Sequence, residues 1–196
     1  MPEPTTAYSD RFDAAVALAV NDFRSTFRKG TSVAYITHLF AVTSLVGEYG
    51  GDEDQLIAAV LHDWLEDISG ADPEVLEARF GPRVRRLVGG LSDSVGHPKP
   101  PWRARKEAYL AHLRLAPPEL KLISAADKLH NAQSIRRDLA TVGGSLWSRF
   151  TAGREGTLWY YDQVAKAINE DWPHPLALRL TSEVNALLED ASCSLR

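Results

Sequence analysis

Apolar residues recur along this chain at spacings of three and four, with none of the strict alternation that a half-buried strand would need. Phe12, Ala15, Val16, Ala19, Val20 and Phe23 mark a helix over about 11–23, and the basic turn Arg28-Lys29-Gly30 ends it. A second helix begins near Tyr35, carries Ile36, Leu39, Val42, Leu45 and Val46, and stops at Gly50-Gly51. A third is predicted as one unbroken element from about Glu53 through Leu56, Ile57, Val60, Leu61 and Leu65 to Ile68, with Gly70 as its terminator.

Asp72-Pro73 reads as an N-cap followed by proline at the first helical position, and Gly81-Pro82 repeats the start signal for a helix towards Leu91. The stretch 92–101 is rich in Pro, Gly and Ser, has no period, and is predicted to be a mobile loop. Helical patterns over 102–113 and 119–139 are divided by Pro117-Pro118. Two more follow Gly143-Gly144, over about 157–168 and 175–188. No strand, repeat, heptad run or linker is legible. The expectation is an all-α bundle of about eight to ten helices, forming one domain over 1–196 in which C-terminal helices 146–190 pack on a motif-bearing region at about 22–138.

Charge narrows the partners. The formal net charge is −4 and the sequence pI about 5.9, so the basic footprint of a nucleic-acid binder is missing. A single Cys193 supports neither a disulfide framework nor a thiolate metal site, and the first residues, MPEPTTAYSD, lack the pattern of a signal peptide. No apolar run is long enough to span a membrane. Cytoplasmic location without membrane or nucleic-acid partners is the expectation, with the chain a monomer or homodimer.

The candidate chemistry lies on three helices. On an unbroken third helix His62 would project beside Glu66, and Asp63 beside Asp67, because residues four apart share a face. An imidazole and carboxylates among Leu61, Trp64 and Leu65 are costly if buried without partners, so they call for a cation, a partner or water. A metal ion would satisfy them together. Asp127 makes the same demand inside Ser124-Ala125-Ala126-Asp127-Lys128-Leu129, with Asn131 and Ser134 following it on one face. A lone His38 in an apolar helix is more often a core histidine than a ligand. Glu66 and Asp67 could be solvated acids, although acids at a helix C-terminus oppose its dipole. A histidine, a His-Asp pair with acids beyond it, and a distant Asp are together far more specific than any one alone. His97, His112, His130 and His174 are assigned no site, and Trp147, Phe150, Trp159, Tyr160 and Tyr161 read as core with one of them able to border a pocket.

At these residues the chain resembles the HD phosphohydrolase superfamily, and within it the stand-alone small alarmone hydrolases of the RelA/SpoT-homologue group. The matching stretches are Arg28-Lys29-Gly30-Thr31 with Tyr35-Ile36-Thr37-His38, then Ala58-Ala59-Val60-Leu61-His62-Asp63 with Glu66-Asp67, then Phe80-Gly81-Pro82-Arg83-Val84, and Ala126-Asp127-Lys128-Leu129-His130-Asn131. The resemblance implies an HD-domain helical fold and one divalent ion, most often Mn²⁺, held by His38, His62, Asp63 and Asp127. Two imidazoles with two carboxylates suit Mn²⁺ or Fe²⁺ better than an all-oxygen Mg²⁺ site. It also implies Glu66 and Asp67 as the acids that activate and orient the attacking water, Arg28 as the residue packing on a purine, Lys29 as a phosphate contact, and Asn131 and Ser134 as walls of a nucleoside pocket. Ala34 and Leu39 stand where the family usually has proline, and Trp64 where it has a small or β-branched residue. These departures bear on loop geometry and pocket shape.

The implied activity is hydrolysis of the 3′-pyrophosphate of guanosine tetra- or pentaphosphate, (p)ppGpp, to GDP or GTP and pyrophosphate. Two alternatives stay open: an HD phosphohydrolase acting on another nucleotide, such as an adenosine alarmone, NADPH or a deoxynucleotide, and a catalytically silent nucleotide-binding module.

Overall fold

Helix starts in this computed structural model, which describes residues 8–93 and 100–193, fall where capping chemistry puts them. Ser9 caps α1 (Asp10–Asp22), its hydroxyl accepting from the Arg11 amide. Helix α2 spans Ile36–Glu48. Asp52 opens α3 (Glu53–Val60) with a capping box: its carboxylate accepts from the Gln55 amide at 3.1 Å while the Gln55 side chain accepts from the Asp52 amide at 3.0 Å. Asp72 caps α5 (Pro73–Phe80), and Gly81, at φ 89°, turns the chain directly into α6 (Pro82–Leu91). That φ lies in the region where a side chain would be strained, so glycine is required between these two helices.

Asp52→Ala removes the cap acceptor and also the Asp52–Arg83 ion pair at 2.8 Å. The pair is solvent-exposed and adds little. The expected loss is about 1 kcal/mol, mostly from the cap, read as a Tm lower by about 2–4 °C. Asp52→Asn keeps the acceptor and should recover most of the loss in the same thermal melt.

The third helix differs from its predicted form. It ends at Val60, residues 61–63 form a turn, and the four-residue α4 (Trp64–Asp67) follows. The apolar stripe continues across the break because Leu61 and Leu65 are both buried, so periodicity alone could not reveal it.

Beyond 94–99 lie α7 (Trp102–Arg114), α8 (Pro118–Val142), a 3-10 segment at Gly143–Arg149, α9 (Gly153–Asn169) and α10 (Pro175–Cys193). The predicted loop at 92–101, with His97, lies mostly outside the described residues. Among those residues the only extended pairing is one antiparallel bridge, Phe27 with Ala34, and the fold is all-α. No described helix is long and apolar enough to cross a membrane.

The described chain divides into two compact units, one on each side of 94–99. In the first, α3 is central, packed by α1, α2 and α6, with α5 against α6. Phe23, Leu39, Ile57, Leu61, Leu76 and Phe80 are buried there. In the second, α10 lies along α8 and α9, and α7 packs on α9. Arg136 fastens α8 to α10 through Glu183 at 2.8 Å and Asp190 at 2.7 Å. Helix α8 is buried over most of its first four turns, where Ala125, Ala126 and Ala132 let neighbours approach closely and Ile123 and Leu129 fill the interior. This burial encloses Asp127.

Candidate active site

In the first unit the site begins with a small hairpin. The Arg28 amide donates to the Val33 carbonyl at 2.8 Å and the Tyr35 amide to the Thr26 carbonyl at 2.9 Å. Gly30 turns the tip at φ 70°, and the Thr31 hydroxyl donates to the Arg28 carbonyl at 2.9 Å. Ala34 donates neither of these two amide bonds, which come from Arg28 and Tyr35. Arg28 lies over the Tyr35 ring, 5.6 Å from its centroid, while Lys29 is exposed.

The hairpin delivers Tyr35 to the start of α2, one turn before His38. Tyr35 stacks on Phe23 at 5.4 Å and meets His38 edge-on at 5.5 Å. Its hydroxyl donates to Asp63 Oδ2 at 2.5 Å. Sequence reasoning gave Tyr35 no role of its own. The signal that could have found it is its position three residues before His38, which puts both on one helical face.

The break after α3 aims the His-Asp pair. His62 Nδ1 lies 2.8 Å from the Ala59 carbonyl, and a carbonyl can only accept, so Nδ1 carries a proton and Nε2 of the neutral ring presents its lone pair. That Nε2 is 2.9 Å from Asp63 Oδ2. His38 Nε2 is 3.7 Å from the same oxygen, and the two imidazoles meet edge-on at 5.1 Å. Both histidines are buried. A lone pair and a carboxylate oxygen at that separation repel unless a proton or a cation lies between them. Two imidazoles and a carboxylate with the first ring's tautomer fixed from behind form a donor set that fits a borderline divalent cation.

Glu66 and Asp67 reach this region by a different route from the one predicted. They do not extend the α3 face beyond His62; they belong to α4, which starts at Trp64 with Asp63 as its N-cap. The Glu66 amide donates to the Asp63 carbonyl at 3.2 Å and the Asp67 amide to the same oxygen at 2.9 Å. In a helix of four residues the two acids sit in its first turn and at its end alike, so the helix dipole does not decide their role. Glu66 is half-buried and Asp67 exposed. Trp64 is buried, its indole N–H donating to Asp22 Oδ2 at 2.7 Å, so the unusual large residue after His-Asp is used to pin α4 to α1.

In the second unit Asp127 is held from two sides. Asn131 Nδ2 donates to its Oδ1 at 2.5 Å, and Lys128 Nζ donates to Oδ2. Burial opposes the Lys128 charge, but Asp127, with Tyr160 and Tyr109 nearby, holds its pKa well above the ordinary lysine value. Asn131 thus meets Asp127 directly. Ser134 is engaged within α8, donating to the His130 carbonyl at 2.9 Å and accepting from Arg137 at 3.0 Å. His38 and His62 in the first unit and Asp127 in the second are all buried, and all are residue types that can ligate a metal ion.

An all-helical fold carrying buried histidines and these carboxylates in this order is that of an HD-type protein. The HD domain family matches residues 15–158, and the chain belongs to that family. It is 35% identical over 105 residues to the human guanosine-3′,5′-bis(diphosphate) 3′-pyrophosphohydrolase, covering 53% of this chain and 56% of that one. It is 37% identical over 106 residues to a probable GTP pyrophosphokinase of Mycobacterium leprae, covering 52% of this chain and 13% of that one. The chain therefore spans about half the length of the human relative and far less of the bacterial one. Among solved structures it is similar to a metazoan ortholog of SpoT described as hydrolysing ppGpp, at TM-score 0.77 and 26% identity, covering 93% of this chain and 98% of that one. A Listeria monocytogenes protein matches at TM-score 0.70 and 25% identity over 78% of this chain and 99% of that one.

Proposed function

We propose that this protein is a metal-dependent 3′-pyrophosphohydrolase of (p)ppGpp, releasing pyrophosphate and GDP or GTP. The observation that carries the reading is the meeting of His38 and His62 at the Asp63 carboxylate, with the His62 tautomer fixed by Ala59. The family and the named activities of the human and metazoan relatives support it.

In this reading His38, His62, Asp63 and Asp127 hold one divalent ion, Mn²⁺ by the character of its donors. A bound ion supplies Lewis acidity at a phosphoryl oxygen and makes water more acidic. Glu66 takes the proton of the attacking water and Asp67 orients it. Tyr35 donates to the same Asp63 oxygen that meets the imidazoles and so orients that carboxylate. Arg28, backed by the Tyr35 ring, offers a planar guanidinium to a purine, and Lys29 a point charge to phosphate. Asn131 holds the Asp127 carboxylate and, with Ser134, borders the nucleoside. The two units work as one HD-type domain, in the cytoplasm, as a monomer or homodimer acting on a free nucleotide.

The test is turnover of purified protein on ppGpp, pppGpp, an adenosine alarmone, NADPH and a deoxynucleoside monophosphate. Pyrophosphate release from the guanosine alarmones is expected with Mn²⁺, to vanish with EDTA and to return with added Mn²⁺. Release from another nucleotide alone would overturn the substrate assignment, and nucleotide binding without turnover in Mn²⁺ would make the protein a sensor.

A further inference from the structure

Tyr35 stands where a helix start favours a different kind of residue. It is the N-cap of α2, yet its side chain makes no cap bond to that helix, as the small polar residues common at such a position would. The ring is seated elsewhere, stacked on the buried Phe23 at 5.4 Å with 12° between the planes and edge-on to His38 at 5.5 Å. Phenylalanine would serve those ring contacts as well, so the hydroxyl has a separate use.

That hydroxyl reaches Asp63. It donates to Oδ2 at 2.5 Å, a charge-assisted bond to the oxygen that lies 2.9 Å from His62 Nε2 and 3.7 Å from His38 Nε2. An aspartate's χ2 is a broad, two-fold torsion, so which oxygen faces the imidazoles is set by the groups bonded to it. A phenol whose ring is held against Phe23 is a donor with little freedom of its own.

The same ring carries Arg28, whose guanidinium carbon lies 5.6 Å from the ring centroid. Pairing across the hairpin explains the meeting. The Tyr35 amide donates to the Thr26 carbonyl and the Arg28 amide to the Val33 carbonyl, so Arg28 and Tyr35 are diagonal neighbours on one side of the two strands. One side chain in the first unit thus touches both the arginine assigned to the purine and the carboxylate assigned to the ion.

We propose that Tyr35 is a two-ended positioning residue, its ring setting Arg28 and its hydroxyl setting Asp63, so that purine and ion are held in one register. The Arg28 end rests on the (p)ppGpp reading; the Asp63 end needs only the donor set.

The experiment is calorimetric titration of Mn²⁺ into full-length, metal-free wild type, Tyr35→Phe, Tyr35→Leu and Arg28→Met, with the Tm of each metal-free form and steady-state kinetics on ppGpp at saturating Mn²⁺. Tyr35→Phe should weaken Mn²⁺ about 10-fold to 100-fold, the usual effect of removing a hydrogen-bond partner of a ligand, while KM and the metal-free Tm stay near wild type. Tyr35→Leu should weaken Mn²⁺ to the same extent and also raise KM about two- to fivefold, as loss of an exposed cation–π contact does. Arg28→Met should raise KM at wild-type Mn²⁺ affinity, and adding Tyr35→Leu to it should raise KM no further, because the ring acts on the nucleotide only through Arg28. Wild-type Mn²⁺ affinity in Tyr35→Phe would overturn the inference while leaving the proposed hydrolysis intact. An equal rise of KM in Tyr35→Phe and Tyr35→Leu would overturn it too, by making the hydroxyl a direct substrate contact. Loss of Mn²⁺ affinity in Tyr35→Phe of a protein that does not hydrolyse (p)ppGpp would instead keep the Asp63 end and overturn the substrate assignment.

Discussion

Replacing His62 by alanine is expected to strip the protein of its divalent ion and abolish pyrophosphate release. The ring is buried, its Nδ1 is committed to the Ala59 carbonyl, and its Nε2 faces Asp63 at 2.9 Å, so its loss removes one of the two imidazole nitrogens that meet at Asp63. Loss of an outer-shell partner costs about 10-fold to 100-fold in metal affinity or activity, and loss of a direct ligand should exceed that. Asp127→Ala should behave alike, with a further consequence for Lys128, whose charge Asp127 stabilises. Without its carboxylate that ammonium is buried beside two tyrosines, which destabilises the fold. Asp127→Asn keeps the shape and an oxygen that can accept from Lys128 but removes the charge, and combining it with Lys128→Met removes the buried ammonium as well, which separates the two effects. Metal content by elemental analysis and Tm of the metal-free forms decide the matter. Stoichiometric metal with wild-type turnover in His62→Ala or Asp127→Asn would remove that residue from the ligand set.

What could be read from the chain and what could not follow a physical line. Helices α5 and α6 were legible because local chemistry starts them: Asp72-Pro73 caps one and Gly81-Pro82 turns it into the next. Helix α8 was legible from its period, though it runs from Pro118 to Val142, longer than predicted. The break at 61–63 was not, since a three-residue turn leaves Leu61 and Leu65 on the buried side. The consequence reaches the site. His62 and Glu66 were placed together by helical spacing, whereas the structure connects the acids to Asp63 through its backbone carbonyl.

Side-chain partners were the least legible layer. Adjacent residues on a helix do not face each other, yet the long Lys128 stem returns its ammonium to Asp127. Tyr35 and Asp63 are 28 positions apart in sequence and meet only because the hairpin at 27–34 delivers one and the turn after α3 the other. The five aromatic residues read as core are mostly that, but Tyr160 carries a hydroxyl into it without a partner, a feature no periodicity records.

Glu66→Gln should retain the divalent ion and the nucleotide while losing about 10²-fold to 10⁴-fold in kcat, the usual contribution of general acid-base catalysis. The substitution keeps size and removes the base. Glu66 is half-buried in α4, and its backbone is tied at 3.2 Å to the carbonyl of Asp63, whose carboxylate lies against both imidazoles. The geometry that orients Asp63 therefore also orients the helix carrying the acid. Asp67, tied to the same carbonyl at 2.9 Å but exposed, is better suited to orienting water than to holding a raised-energy proton. Asp67→Asn should consequently cost less than Glu66→Gln. The double variant should cost less than the product of the two, because groups acting on one water do not contribute independently. Rates within a small factor of wild type in all three would make both carboxylates solvated residues of a short surface helix. Loss of metal in Glu66→Gln would make Glu66 a ligand, and the division between the residues that hold the ion and those that move the proton would have to be redrawn.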